Sequence, residues 1–267
     1  MSYCRKCGTK LEPDMAYCPK CGTPIAIQQQ PYENRRRNES KPLNPLVIVG
    51  IVVLAVAAVA IVLVFVWGGG LFGHVGSGQL STQNFDIDVF TAVSPSGGFN
   101  VEITQGSIYS VKVTTDDNLQ QYVDIHKVGS TLEIQMQPGG YQTTALKAEV
   151  TMPNLEQVQA SGGSVVNAQN LNLVTNFGAD LSGGSRLTMT GQGVDVTLVG
   201  SGGSNLNLGD FQINNAQVDL SGGSQATVNA ADTISGDLSG DSHLYYKGNP
   251  TLGSIDTTGG SGISQVP

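Results

Sequence analysis

Two hydrophobic patterns divide the chain. From residue 84 to 152, apolar and polar positions alternate. Phe85, Ile87 and Val89 interleave with Asp86 and Asp88, and Phe99, Val101 and Ile103 with Asn100 and Glu102. Val111/Val113, Val123/Ile125, Leu132/Ile134/Met136 and Ala148/Val150/Met152 continue the period of two. Gly97-Gly98, Gly106-Ser107, Gly129-Ser130 and Pro138-Gly139-Gly140 punctuate these runs. Successive side chains of a strand point to opposite sides, so this period predicts strands with one buried face. The second pattern is unbroken. Leu46 to Trp67 reads LVIVGIVVLAVAAVAIVLVFVW and carries no charge. About 20 apolar residues in helix cross a hydrocarbon core of about 30 Å, so this run predicts a transmembrane helix over 46–67. A cleavable signal peptide would have a shorter apolar stretch near the start of the chain.

From residue 155 the alternation becomes a repeat. Ser161-Gly162-Gly163-Ser164 returns at 182–185, 201–204 and 221–224, then as Ser239-Gly240-Asp241-Ser242 and Thr258-Gly259-Gly260-Ser261. First residues step by 21, 19, 20, 18 and 19. A period near 20 marks a stack of like units. Short strands flank the copies, as Val218-Asp219-Leu220 before one and Ala226 and Val228 after it. One unit has too few apolar residues to close a core, but stacking units about 4.8 Å apart buries them against each other. Gly suits the sharp corners. Stacked Ser or Asn can hydrogen-bond along the axis. A flexible Gly/Ser linker would not keep apolar alternation on both sides of every copy.

The predicted fold class is all-β: a parallel, right-handed β-helix with an irregular N-terminal β-region, one transmembrane helix and a small zinc ribbon. The expected organisation is a ribbon at 1–25, a disordered basic linker at 26–45, the membrane helix at 46–67, a Gly-rich tether at 68–83 and the β-helical domain at 84–267.

Charge sharpens this division. Residues 1–45 hold eight of the 13 Lys and Arg against four acidic residues; residues 68–267 hold five basic against 17 acidic. Arg35, Arg36, Arg37 and Lys41 precede the apolar run, and the first basic residue after it is Lys112. The positive-inside rule then places the N-terminus in the cytoplasm and the C-terminal domain outside, in a single-pass cell-membrane protein. An acidic outer domain argues against a nucleic-acid partner, because phosphate binding needs Lys and Arg.

Cys4-Arg5-Lys6-Cys7-Gly8 and Cys18-Pro19-Lys20-Cys21-Gly22 are two copies of one knuckle. Cys4, Cys7, Cys18 and Cys21 can supply four thiolates to a tetrahedral shell, the set that suits Zn2+. A redox CxxC pair would need a βαβ context that 25 residues cannot supply, and disulfides do not persist in a reducing cytosol. Four thiolates leave no open position, so the zinc is expected to be structural, and a cytoplasmic protein is a possible partner. The unit resembles the short zinc-ribbon domains at the N-termini of many microbial membrane proteins.

Asp180, Asp219, Asp237 and Asp256 sit two residues before their copies of the phrase. They form either a solvated ladder or, less readily, a Ca2+ site through oxygen ligands. Polysaccharide-active β-helices need a base and charge-stabilising partners near clustered carboxylates. Here Arg186, Lys112, Lys127, Lys147 and Lys247 are scattered, and His74, His126 and His243 are isolated in sequence. No catalytic residue is assigned and the chain is not expected to be an enzyme.

Phe99-Asn-Val-Glu-Ile-Thr-Gln-Gly106, Leu146-Lys-Ala-Glu-Val-Thr-Met-Pro-Asn-Leu155, the recurring Ser-Gly-Gly-Ser and His243-Leu-Tyr-Tyr-Lys-Gly-Asn-Pro250 resemble the head GIN domain family of auto-transporter adhesins, from about Phe85 to Ile263. The resemblance implies a β-helical surface or envelope domain without known catalysis. The expected function is surface adhesion or envelope structure, with an unknown surface ligand, glycan or protein. Sensing of an external ligand, with the ribbon contacting a cytoplasmic partner, is the alternative, and a glycan-active enzyme the weakest reading.

Overall fold

A computed structural model describes residues 2–12, 15–24 and 73–267. The ribbon and the β-region belong to separate compact units. In the ribbon, β1 (Ser2–Tyr3) pairs antiparallel with β2 (Lys10–Leu11).

The second unit begins with β3 (His74–Val75), β4 (Leu80–Phe85), β5 (Ala92–Pro95), β6 (Asn100–Gln105) and β7 (Ser110–Asp116). A short 3-10 turn (Asp117–Tyr122) leads to β8 (Val123–Val128), β9 (Thr131–Met136), β10 (Tyr141–Gln142) and β11 (Leu146–Met152). The repeat supplies β12 (Gln157–Ala160), β13 (Val165–Asn172), β14 (Phe177–Leu181), β15 (Arg186–Gln192) and β16 (Val196–Gly200). Two long strands, β17 (Asn205–Leu220) and β18 (Gln225–Leu238), precede β19 (His243–Lys247), β20 (Thr251–Thr257) and β21 (Gly262–Gln265).

Seventeen of these strands form one solenoid-like sheet with two ladders. Strands after each Ser-Gly-Gly-Ser corner stack in parallel as β6, β13, β15, the first part of β17, the first part of β18, β19 and β21. Strands before each corner stack as β5, β12, β14, β16 and the second parts of β17 and β18, then β20. At the N-terminal end the ladders change character. β11 runs parallel to β6 and antiparallel to β7, which pairs antiparallel with β4; β9 runs parallel to β5 and antiparallel to β8. The region expected to be irregular therefore supplies the first rung and the antiparallel layer over it.

Register explains the core. Val101, Val166, Leu187, Leu206, Ala226 and Leu244 stand above one another on one ladder. Val93, Val158, Ala179, Leu198 and Val218 do so on the other. All of them are buried. Each fully buried Val or Leu contributes about 1.5–3 kcal/mol. Exposed pairs such as Lys147–Glu149 and Lys247–Asp210 are screened by solvent, so the apolar columns hold the stack together.

The corners add a polar column. Ser164, Ser185, Ser204, Ser224 and Ser242 are buried, and each hydroxyl donates to the carbonyl of the first residue in its own phrase. Ser224 Oγ accepts from Ser204 N–H of the preceding rung at 3.3 Å, and Ser242 Oγ from Ser224 N–H at 3.2 Å. Gly222 and Gly223 take φ of +63° and +77°, a left-handed pair that a residue with a side chain adopts only with strain.

One expectation about the fold is corrected. No helix of the described residues is long and apolar enough to cross a membrane. Among the described residues the fold class found is all-β, a solenoid-like sheet and a ribbon, without the expected transmembrane helix, and the single-pass localisation built on that helix is withdrawn with it. For the described residues the physical reason is the period of two: their strands alternate apolar and polar residues, a pattern that builds one-faced ladders and leaves no unbroken apolar run of about 20 residues. The run 46–67 and the linker 26–45 lie outside the described residues. Residues 73–83, expected within a tether, contain β3 and the start of β4.

Candidate functional site

The four cysteines converge. In the first knuckle Cys4 N–H donates to Thr9 O at 2.8 Å and Gly8 N–H to Cys4 O at 2.9 Å; in the second, Cys18 N–H donates to Thr23 O and Gly22 N–H to Cys18 O, both at 2.9 Å. Each turn closes on a glycine with positive φ, +68° at Gly8 and +64° at Gly22. Cys4 Sγ lies 3.6 Å from Cys21 Sγ, and Cys7 Sγ 3.6 Å from Cys18 Sγ. All four sulfurs lie within 4.8 Å of one another. A tetrahedral shell with Zn–S bonds of about 2.3 Å has S···S edges of about 3.8 Å, so this donor set and spacing fit structural zinc. The Thr9 hydroxyl and backbone beside Cys7, helped by Cys21, draw its thiol down to about 6. Thr23 acts on Cys21 in the same sense, but Cys7, burial and Cys18 outweigh it and push that thiol up to about 11. Four sulfurs packed this closely resist ionising together without a cation among them. Cys4, Cys7, Cys18 and Cys21 would hold the ion in a closed shell.

The aspartates divide. Asp219, Asp237 and Asp256 are in register on successive rungs. Asp180 is in register with Val199, which is in register with Asp219, so an apolar residue interrupts the ladder. Asp219 Oδ1 accepts from Asp237 N–H and Gln217 Nε2, each at 3.3 Å. Asp180, Asp237 and Asp256 are exposed. Among the described residues, the cysteines are the only group of three or more His, Cys, Asp or Glu drawn close enough to hold a metal. Asp180, Asp237 and Asp256 thus lie on an exposed acidic edge, with Asp219 half-buried among them.

The histidines are less isolated than their spacing implies. His126 Nδ1 lies 3.0 Å from Asp124 Oδ1 and Nε2 3.4 Å from Glu133 Oε2, while Gln135 Nε2 donates to Asp124 Oδ2 at 3.1 Å. The β8–β9 hairpin makes this cluster, because it puts His126 opposite Glu133 and Asp124 opposite Gln135. The turn Gly129-Ser130 and a period-two count outward from it were the signal for that pairing. His243 stacks on Tyr245 with centroids 6.4 Å apart. His74 stacks on Tyr122 at 4.3 Å and on Tyr141 at 5.5 Å.

The outward rows of both ladders are mostly polar, with Val199 an exception, and are linked in places along the axis. Asn167 Nδ2 donates to Glu102 Oε1 at 3.0 Å, Gln192 Nε2 to Asn172 Oδ1 at 3.0 Å, and Ser235 Oγ to Gln217 Oε1 at 2.8 Å. Each of these bonds ties a side chain on one rung to the next. Residues 89–250 match the family described as "Putative auto-transporter adhesin, head GIN domain". The chain belongs to this family. Ahead of the head GIN domain, residues 3–25 match the zinc-ribbon domain. The crystal structure of a "putative adhesin" from Bacteroides fragilis is similar, with a TM-score of 0.61 at 18% identity, over 73% of this chain and 100% of that one. A "putative adhesin" from Parabacteroides merdae gives 0.48 at 18% identity, over 73% and 100% of the two chains. At 18% identity the likeness to the Bacteroides fragilis structure shows a shared fold alone. No curated protein matches the chain.

Proposed function

We propose that the head GIN domain is a surface-interaction module of adhesin type, and that the ribbon is a zinc-stabilised structural unit. The single observation that supports the first part is the set of outward polar rows held in register over a rigid core. Rigid rows lose little conformational freedom on contact, so many weak polar contacts can add up along one partner. Membership of an adhesin-described family agrees with this reading. The closed thiolate shell supports the second part, since such a shell binds zinc without leaving a position for substrate.

Beads coated with the full chain test the adhesive reading. They should be retained, above albumin-coated beads, on at least one of three surfaces: fixed bacteria, epithelial cells or polysaccharide films. Equal retention on all three, at the albumin level, would refute it.

A further inference from the structure

A groove at the N-terminal end of the head is built for a ligand of a definite kind. It has a volume of about 350 Å³ and is lined by Ser96 and Gly97 of the first corner, Met136 at the end of β9 and Gln137 to Gly139 after it, and Tyr141, Thr143 and Leu146. No charged side chain lines it. Met136 and Leu146 pack against the core from beneath. Ser96, Gln137 and Thr143 bring hydroxyl and amide groups, which both donate and accept hydrogen bonds.

Tyr141 is held both by backbone pairing and by ring contacts. β10 pairs in parallel with β3, so that Tyr141 stands beside His74 and Gln142 beside Val75. His74 N–H donates to Gly140 O, and Gly76 N–H to Gln142 O, both at 2.8 Å. The rings of His74, Tyr122 and Tyr141 form one cluster, with the two tyrosines 5.5 Å apart. Burial and Tyr122 raise the Tyr141 hydroxyl above its ordinary value. A Cβ on Gly139 would lie 2.9 Å from Tyr141 Oη, so a glycine there lets the ring reach the groove. The strap 73–78 is itself clamped, because buried Asp116 accepts from Gly78 N–H at 2.8 Å and from Thr144 N–H at 2.7 Å.

We propose that this groove binds a neutral sugar unit of a glycan, with Tyr141 as its platform. Four features point to that chemistry. A buttressed aromatic ring offers a flat apolar surface, which suits the C–H face of a pyranose. Amide and hydroxyl groups at the rim suit hydroxyls, which also donate and accept. The uncharged lining suits a neutral ligand, since an ionic one would leave its charge desolvated and unpaired. The groove is open and near the small end of ligand pockets, about 300–1,000 Å³, which suits one unit of a longer solvated chain. The inference rests on the surface-interaction reading and gives it a place and a ligand class.

The test uses the full chain and four immobilised neutral polysaccharides: galactan, mannan, xylan and dextran. Polygalacturonate and gelatin serve as anionic and peptide controls. At least one neutral polymer should retain the chain. Tyr141→Ala should weaken retention about tenfold or more, and Tyr141→Phe should keep it within about threefold. Because Tyr141→Ala could loosen the strap, Gln137→Ala, which removes a rim amide but keeps the backbone N–H that donates to Tyr122 O at 2.8 Å, should also weaken retention while leaving the thermal unfolding curve unchanged. Retention of no neutral polymer, preference for polygalacturonate or gelatin, or equal retention of Tyr141→Ala would overturn the proposal. The bead assay separates the two ideas: Tyr141→Ala beads that adhere like the parent refute the groove alone, whereas parent beads that adhere nowhere refute the surface reading beneath it.

Discussion

Replacing Gly222 or Gly223 with Ala tests the stacked-corner geometry, because the two glycines share a backbone conformation and differ in surroundings. At Gly223, with φ of +77°, an added Cβ would meet nothing within 4 Å. Its cost is the left-handed strain of an L-residue alone, about 1–2 kcal/mol. At Gly222, with φ of +63°, the same strain applies, but the Cβ would sit 3.2 Å from Gly202 N and 3.6 Å from Gly202 Cα on the preceding rung. Relieving that contact means parting two rungs at a point where Gly203 N–H donates to Gly222 O at 3.0 Å. Overpacking of this kind costs about 1–3 kcal/mol more. Gly222→Ala should therefore destabilise by about 3 kcal/mol and Gly223→Ala by about half of that. Urea unfolding followed by far-UV circular dichroism measures both. The approach distance also predicts an order along the stack, with Gly162 at 2.9 Å from Gly97 N worst and Gly183 at 3.3 Å from Gly162 N mildest. Equal costs for the two glycines, or a larger cost at Gly223, would refute the packing argument.

Three further outcomes follow from the same structure. Native mass spectrometry of the full chain should find one zinc per chain, lost on Cys18→Ser while the far-UV signal of the head persists; retention of the metal would count against the four-thiolate shell. Phe211 is fully buried, so Phe211→Ala should cost about 3–5 kcal/mol in urea midpoint analysis, and a cost below about 1 kcal/mol would mean the core is looser than drawn. Thr144 N–H, then Gly78 N–H, donate to the Asp116 carboxylate and hold its proton affinity below the ordinary value against the opposing effect of burial. A lowered folded value stabilises above the unfolded pKa of about 3.9 and is lost as pH falls through the folded one, so Asp116→Asn should flatten the fall in melting temperature below about pH 4. Parallel melting curves for the two proteins from neutral to acid pH would dismiss the clamp.

Much of the architecture was legible because it is local. Period-two alternation placed the strands of residues 84–152, and the repeated phrase placed the corners. The register of Asp219, Asp237 and Asp256 followed from counting the repeat, whereas Val199 in the intervening rung showed that the ladder with Asp180 is broken. The first corner escaped notice. Ser96-Gly97-Gly98-Phe99 takes the same turn, with φ of +73° and +84° at its glycines, and Gly98 N–H donates to Ser164 Oγ at 3.3 Å. Strands β7 to β11 intervene before the next copy, so no fixed period connects them, and Phe99 replaces the final Ser.

The sites divide along the same line. The cysteine cluster lies within a few turns of chain, and its spacing names its chemistry. The Asp124–His126–Glu133 cluster and the His74–Tyr122–Tyr141 stack join residues by pairing across strands, so each looked isolated one residue at a time. The sequence by itself determined the β-class, the repeat, the corner residues and the thiolate set, because each depends on neighbours a few positions apart. Only the tertiary structure decided that the first rung comes from residues 92–105, that His74–Val75 of the glycine-rich strap form a strand, and that this strand pairs beside Tyr141. Those outcomes depend on which strand lies beside which, and hydrogen bonding between distant segments fixes that choice.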